Sequence, residues 1–382
     1  MYFMIRINRF SVNKFALLPF FLVVVPLVVY VFLIQFRFWS TITIPASTFG
    51  TITTNAVTQS ESQVDSVSTG PILFVGDVLL ARNVEYLMQT KGAAYPFKNL
   101  PDLFGTKSSA IIGNFESAIL ERHIRTPSYI TTFSVDKKYI SLLHEVGFTH
   151  MSLANNHSND YGSTTLAHTK QILQQAGIYT FGHPLLIDNT AMTVVRSGAT
   201  TVGIIGINQV LTPIKEEELI LQLSLLSSTT DFQIVYIHFG DEYMLKHNSN
   251  QELIARMVID AGADAVIGHH PHVVQDIDVY KQRPIFYSLG NFIFDQYFSV
   301  DVKQGLMLSV TFLNNEVHYE LVPVTSENSN SQPYRMGTAE RELFLINLAR
   351  RSNLEYSENI KQGKLILPFS LATYSQTGMI TP

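Results

Sequence analysis

The chain has 382 residues, a formal net charge of −5 and no cysteine. That length allows a large core and one or two domains, and the charge offers no basic field, so no nucleic-acid partner is expected. The missing thiols exclude thiolate metal sites, disulfide staples and cysteine nucleophiles.

In chain order, the first feature is an uncharged, mostly apolar run at residues 15–36. At about 1.5 Å per residue it can cross a hydrocarbon core of roughly 30 Å. Pro19 and Pro26 kink it, which membrane helices tolerate. Arg6, Arg9 and Lys14 precede it and only Arg37 follows closely. The positive-inside rule therefore predicts a cytoplasmic segment at 1–14, a single-pass anchor in the cell membrane at 15–36 and an extracellular remainder. A cleaved signal peptide is the other reading of such a run, although no clear A-x-A site follows it. Residues 37–70 are rich in Ser and Thr and predict a linker that lifts a domain off the membrane.

From Pro71 short apolar strands alternate with amphipathic helices, which predicts an α/β domain over 71–325. The strands end in polar residues: Ile72-Leu73-Phe74-Val75 in Gly76-Asp77, Ala110-Ile111-Ile112-Gly113 in Asn114-Phe115-Glu116, and His150-Met151-Ser152-Leu153 in Ala154-Asn155-Asn156-His157. Gln233-Ile234-Val235-Tyr236-Ile237 ends in His238, and Ala265-Val266-Ile267 ends in Gly268-His269-His270-Pro271-His272. Helices are predicted at 80–89, 137–146, 163–176, 215–226 and 251–261. Hairpins are predicted around Ser197-Gly198-Ala199, Lys281-Gln282-Arg283-Pro284 and Asn314-Asn315. Residues 326–382 predict an extension that packs on the domain, with a helix at 338–350 and a short strand near Leu365.

Three histidines within four positions, at the mouth of a buried strand, are hard to explain by packing. In α/β sheets ligand sites gather beyond the carboxyl ends of the strands, where Asp77, Glu116, Asn156, His157, His238, His270 and His272 all fall. Carboxylate and amide oxygens mixed with imidazoles suit Mn²⁺, Zn²⁺ or Fe, as one or two divalent ions. Taken singly, each residue has a plainer role. Asp77 suits a helix cap, Asn155 and Asn156 suit turns, His238 suits a core position and Glu116 a solvated surface. Their joint occurrence in this order favours the site. His144, His168, His183, His247 and His318 read as surface or packing residues.

Six blocks together resemble the calcineurin-like metallophosphoesterases, and more closely their CapA/PgsA branch of poly-γ-glutamate capsule synthesis. They are Phe74-Val75-Gly76-Asp77-Val78-Leu79-Leu80-Ala81-Arg82, Gly113-Asn114-Phe115-Glu116, Ala154-Asn155-Asn156-His157-Ser158-Asn159-Asp160-Tyr161-Gly162, His238-Phe239-Gly240-Asp241-Glu242-Tyr243, the histidine cluster, and Tyr287-Ser288-Leu289-Gly290-Asn291-Phe292-Ile293-Phe294-Asp295-Gln296. The resemblance implies a four-layer αββα sandwich. It further implies that Asp77 holds a first metal with His272, that Glu116 bridges two metals, and that Asn156, His238 and His270 complete the second. His157 would be a general acid oriented by Asp160, with Arg82, Glu242 and Asn291 in the pocket wall.

Leu79 departs from the wider superfamily, which places a histidine ligand there, so the first metal site is poorer in protein ligands. The implied role is a membrane-anchored capsule-synthesis protein acting on or beside a poly-γ-glutamate chain. A general extracellular metal-dependent phosphoesterase and a non-catalytic scaffold with a relict site are the alternatives. No P-loop occurs, so ATP-driven ligation must come from another chain, and the resemblance implies as partners an ATP-dependent amide ligase, a small membrane subunit and the poly-γ-glutamate chain.

Overall fold

The computed structural model describes residues 70–369, apart from residue 329. The expected cytoplasmic segment, the anchor and all but the last residue of the expected linker lie outside the described residues, as do residues 370–382. Among the described residues no helix is long and apolar enough to cross a membrane.

The α/β expectation is met by two mixed sheets. The strands are β1 (Ile72–Val78), β2 (Ala110–Phe115), β3 (His150–Ser152), β4 (Tyr179–Phe181), β5 (Met192–Ser197), β6 (Thr200–Asn208), β7 (Phe232–His238), β8 (Ala265–His269), β9 (Ile277–Tyr280), β10 (Arg283–Phe286), β11 (Asn291–Ile293), β12 (Gln304–Leu313), β13 (Glu316–Thr325), β14 (Tyr334–Arg335) and β15 (Lys364–Pro368). A nine-stranded sheet runs β14-β13-β12-β1-β2-β3-β4, with β11 on β1 and β15 on β13. A six-stranded sheet runs β5-β6-β7-β8-β10-β9. Strands β1 to β4 are parallel in the first sheet, and β6, β7, β8 and β10 are parallel in the second. The parallel strands read as unbroken apolar runs because both of their faces are covered; every residue of β1 and of β7 is buried.

One core joins the inner faces of the two sheets, with Phe74 and Ile112 of the first meeting Ile234, Tyr236 and Ile267 of the second. The outer face of the first sheet is covered by helices, among them Arg82–Lys91 and Ser163–Gln175, through Val84, Met88, Leu166 and Leu173. The outer face of the second is covered by the helices Glu216–Ser227 and Ser249–Asp260. The latter begins in a capping box of Asn248 and Gln251, which satisfies two orphan backbone donors.

Three local expectations change. The helix predicted from residue 80 begins at Arg82, because Leu79, Leu80 and Ala81 are fully buried and the Leu79 amide bonds the Ile293 carbonyl at 2.7 Å. The helix predicted over 137–146 splits into a 3₁₀ turn, Lys137–Tyr139, and one helical turn, Ser141–Glu145. The turn of the β9–β10 hairpin is two residues rather than four: Lys281 and Gln282 both take positive φ, 50° and 61°, as a type I′ turn requires. The C-terminal segment packs on the domain with a helix and a strand where the sequence placed them. β15 pairs with β13, and the helix Thr338–Arg351 buries Phe344, Leu345, Leu348 and Ala349 in the central core.

Candidate metal centre

The strand ends meet where β1, β2 and β3 of one sheet face β7 and β8 of the other. Asp77 lies in register with Asn114 of β2 on one side and Asn291 of β11 on the other. Gly76 makes this possible: a Cβ there would come within 1.9 Å of the Gly290 carbonyl oxygen, which accepts the Asp77 amide at 2.9 Å. Gly268 is constrained likewise by the Tyr287 carbonyl, 2.0 Å from where its Cβ would sit. Asn114 and Glu116 are two residues apart, so the strand's period of two turns both toward one face.

Asn114 is the hub, and sequence reasoning gave it no role. Its Nδ2 lies 2.9 Å from Asp77 Oδ1, 2.9 Å from Glu116 Oε1 and 3.2 Å from His238 Nδ1. One amide with two hydrogens thus serves three acceptors. Its own Oδ1 accepts from Asn155 Nδ2 at 3.0 Å. Asn155 is the turn former, since its Oδ1 accepts from the His157 and Ser158 amides and from Ser158 Oγ. His269, part of the histidine cluster but given no role of its own, donates its Nδ1–H to Asp77 Oδ1 at 3.1 Å. The parity of β2 could have pointed to Asn114, and His269 already stood in the conspicuous histidine cluster.

The histidine loop has a strained backbone. His270 and His272 take φ of 98° and 58°, a conformation that costs about 1–3 kcal/mol per non-glycine residue and persists where surrounding contacts enforce it. Here the Tyr243 amide bonds the Pro271 carbonyl at 2.7 Å. His272 Nδ1–H donates to Asn291 Oδ1 at 3.0 Å and lies 3.3 Å from Asp77 Oδ2. That assignment leaves Nε2 of His272 with its lone pair. The His238 and His270 rings are 4.8 Å apart.

Ligand-type atoms of Asp77, Glu116 and His238 all lie within 4.8 Å of one another, as do those of Glu242, His270 and His272. This grouping differs from the one implied by resemblance, which paired His272 with Asp77 and placed His238 with His270. Asn156 reaches the group through a ring, its Oδ1 accepting from His238 Nε2 at 2.8 Å. Its Nδ2 donates to His157 Nε2 at 3.1 Å, while His157 Nδ1 donates to Asp160 Oδ2 at 3.1 Å. Asp160 also accepts the Phe133 amide at 2.7 Å, and the Phe133 ring stacks on His157 with centroids 3.9 Å apart. The Arg82 guanidinium sits 4.4 Å over that same Phe133 ring and is bound by both carboxylate oxygens of Asp295. Sequence reasoning did not single out Phe133, and it placed Asp295 in a matching block without giving it a role.

The electrostatics suit a cation. Burial works to raise the Asp77 carboxyl, but the His269 hydrogen bond and the charge of the His269 and His272 imidazoles beside it hold it well below the usual range. Burial and the neighbouring Asp77 charge push Glu116 well above its usual value. Burial and the facing His270 depress His238, and burial with His272 beside it lowers His270 to about 4. Both imidazoles are therefore neutral at pH 7, the form that offers a lone pair to a metal. Buried Asp77 Oδ2, Glu116 Oε2 and His270 Nδ1 have no hydrogen-bond partner. Buried polar atoms are normally paired, so the two orphan carboxylate oxygens of the first group and the orphan imidazole nitrogen of the second fit divalent cations.

These features define a class: an α/β protein whose two sheets bring His, Asp and Glu clusters together in an arrangement that fits a metal. Sequence comparison narrows it. The chain belongs to the family of the bacterial capsule synthesis protein PGA_cap, whose model matches residues 71–296. It is 28% identical over 311 residues to the PGA biosynthesis protein CapA of Bacillus subtilis (strain 168), covering 76% of this chain and 80% of that one. It is 28% identical over 280 residues to the capsule biosynthesis protein CapA of Bacillus anthracis, covering 68% of each. Among solved structures, a hypothetical protein from Thermus thermophilus aligns over 70% of this chain and 98% of its own, with a TM-score of 0.40 and 16% identity.

Proposed function

We propose that this chain is a membrane-anchored protein of poly-γ-glutamate capsule synthesis whose domain lies outside the cell and carries a divalent-metal centre of metallophosphoesterase type. Family membership and the two CapA relatives support the capsule role. The helix–sheet–sheet–helix layering supports the metallophosphoesterase comparison. The single observation that carries the metal is the pair of unpartnered buried oxygens, Asp77 Oδ2 and Glu116 Oε2, at the seam between the sheets.

Asp77, Glu116, Asn156, His238, His270 and His272 would hold the ion or ions, Mn²⁺, Zn²⁺ or Fe. When bound, such an ion supplies Lewis-acid polarisation of a substrate oxygen and a more acidic water. The chain's own residues do the rest. Asn114 keeps two repelling carboxylates and His238 in contact with one amide group. Asp160 fixes His157 through Nδ1, which leaves Nε2 as the atom that holds or gives up a proton. Arg82, braced by Asp295, supplies positive charge for an anionic group of the substrate. The polymer's carboxylates are one such group. The ligation step belongs to partners, an ATP-dependent amide ligase and a small membrane subunit.

Two strains test this reading. Deleting residues 1–40 should abolish polymer production while the purified domain keeps its fold. Asp77→Ala in the chromosomal gene should do the same with the anchor intact, and unchanged capsule in both strains would sink the proposal. The His157–Asp160 pair favours one second reading, hydrolysis of a phosphoester. The Mn²⁺-loaded protein should then cleave simple phosphoesters, and His157→Ala should slow it by about 10²–10⁴-fold. No turnover with any divalent metal removes that reading.

A further inference from the structure

We infer that Glu242 is a metal ligand, and that it completes a second, outer cation site with His270 and His272, beside the inner site of Asp77, Glu116 and His238. The inference rests on the metal-centre reading above and specifies how that centre is built. Leu79 stands fully buried in a small apolar cluster with Ala81, Phe133 and Phe294, so the ligand implied two residues after Asp77 is absent. Coordination lost on β1 must come from elsewhere or from water. Glu242 offers a carboxylate oxygen within 4.8 Å of ligand nitrogens on His270 and His272. His270 Nδ1 is buried and has no hydrogen-bond partner, and a hard oxygen with two imidazoles is a donor set suited to Mn²⁺ or Zn²⁺.

Glu242 is exposed, yet its backbone is not free to wander. The loop after β7 is stitched to the histidine loop along its length. The Phe239 amide bonds the His269 carbonyl at 3.1 Å, and the Tyr243 amide bonds that of Pro271 at 2.7 Å. Gln275 Nε2 donates to the Met244 carbonyl at 2.9 Å, and the His247 amide donates to Asp276 Oδ1 at 2.9 Å. Tyr243 takes a strained φ of 65° immediately after Glu242. A side-chain relay continues the connection: Gln296 Nε2 donates to Tyr243 Oη, Asn291 Nδ2 to Gln296 Oε1, and His272 Nδ1 to Asn291 Oδ1, each at 3.0 Å. The relay orients His272 so that Nε2 is its ligand atom, the arrangement in which a metal-binding imidazole is held through its other nitrogen. Burial separates the sites. Every ligand of the inner one is buried, whereas the outer one carries an exposed carboxylate. The outer ion is therefore the weaker and the more exchangeable.

Mn²⁺ titration of the full-length protein, read by equilibrium dialysis and metal analysis, decides the matter without any assay of turnover. The wild-type chain should bind two ions with separated affinities. Glu242→Gln, a change of one exposed atom, should weaken the weaker site by more than about tenfold and leave the tighter site within about threefold. Asp77→Asn should remove the tighter one. Unchanged thermal melting of metal-free Glu242→Gln serves as the folding control. Two ions bound by Glu242→Gln with wild-type affinities would overturn the assignment of Glu242 alone. A wild-type chain that binds no Mn²⁺ would instead overturn the metal centre itself.

Discussion

The two sheets bring different chemistry to their common edge. The first supplies oxygen: Asp77, Glu116, and the amides Asn114, Asn155 and Asn156 at or beyond the ends of β2 and β3. The second supplies nitrogen: His238 at the end of β7, and His269, His270 and His272 at and beyond the end of β8. For the inner group of Asp77, Glu116 and His238, neither sheet holds a complete donor set. The contrast shows why the centre depends on the inter-sheet core. Phe74 and Tyr236, whose rings lie 6.2 Å apart in that core, sit three residues before Asp77 and two before His238. Packing between the sheets therefore sets the distance between oxygen and nitrogen donors.

The largest effect should come from removing one donor from either sheet. Asp77→Ala and His238→Ala should each weaken the tighter Mn²⁺ site by about 100-fold or more. The double variant should fall short of the sum by about 1–3 kcal/mol, because both act on one ion. Simple additivity in Mn²⁺ titrations would mean that the sheets do not share a site.

Next comes the core that spaces the sheets. Leu345→Ala should cost about 2–5 kcal/mol in urea denaturation, since Leu345 is fully buried in the inter-sheet cluster. A cost below about 0.5 kcal/mol would show that the C-terminal helix is dispensable to the sandwich. Asn114→Ala should cost about 1–3 kcal/mol in the metal-free protein by leaving Glu116 Oε1 unpaired. Saturating Mn²⁺ should recover most of that loss. A loss that metal does not reduce would make Asn114 a packing residue only.

The smallest effect is a proton count. The Glu116 carboxyl is raised by burial and by Asp77, and an ion needs the carboxylate. Protons and metal therefore compete, and affinity should fall as pH drops through that raised value. His270, with a pKa of about 4, stays neutral and releases nothing until more acidic pH. Calorimetry in buffers of different ionisation heat should show up to about one proton released per inner ion below that raised value. Glu116→Gln should abolish that release; release that persists in the variant would assign the proton to another group.

The oxygen and nitrogen donors differ also in how visible they were in the chain. Apolar runs ending in polar residues were readable, because parallel strands bury both faces and ligands collect at their carboxyl ends. Asp77, Glu116, His238 and the histidine cluster announced themselves in that way. Asn114 did not, since it looks like ordinary strand sequence and its importance is a matter of which acceptors lie opposite; His269 stood in the visible cluster, but its bond to Asp77 is decided by the fold. Phe133 and Asp295 lie far in sequence from the residues they brace, His157 and Arg82. The 137–146 helix was misjudged for a local reason: Ile140 joins a 3₁₀ turn to a single α turn, and Gly147 at φ 108° follows at once. Hydrophobic periodicity does not distinguish a broken helix from a whole one.

The sequence by itself determined the strand ends, the order of the donors and the α/β class, because these follow from local periodicity and residue type. Tertiary structure alone decided how the donors divide, with Asp77, Glu116 and His238 in one group and Glu242, His270 and His272 in the other. That division depends on inter-sheet spacing and on a loop stitched to its neighbour by backbone hydrogen bonds. Neither quantity is written in any one segment of the chain.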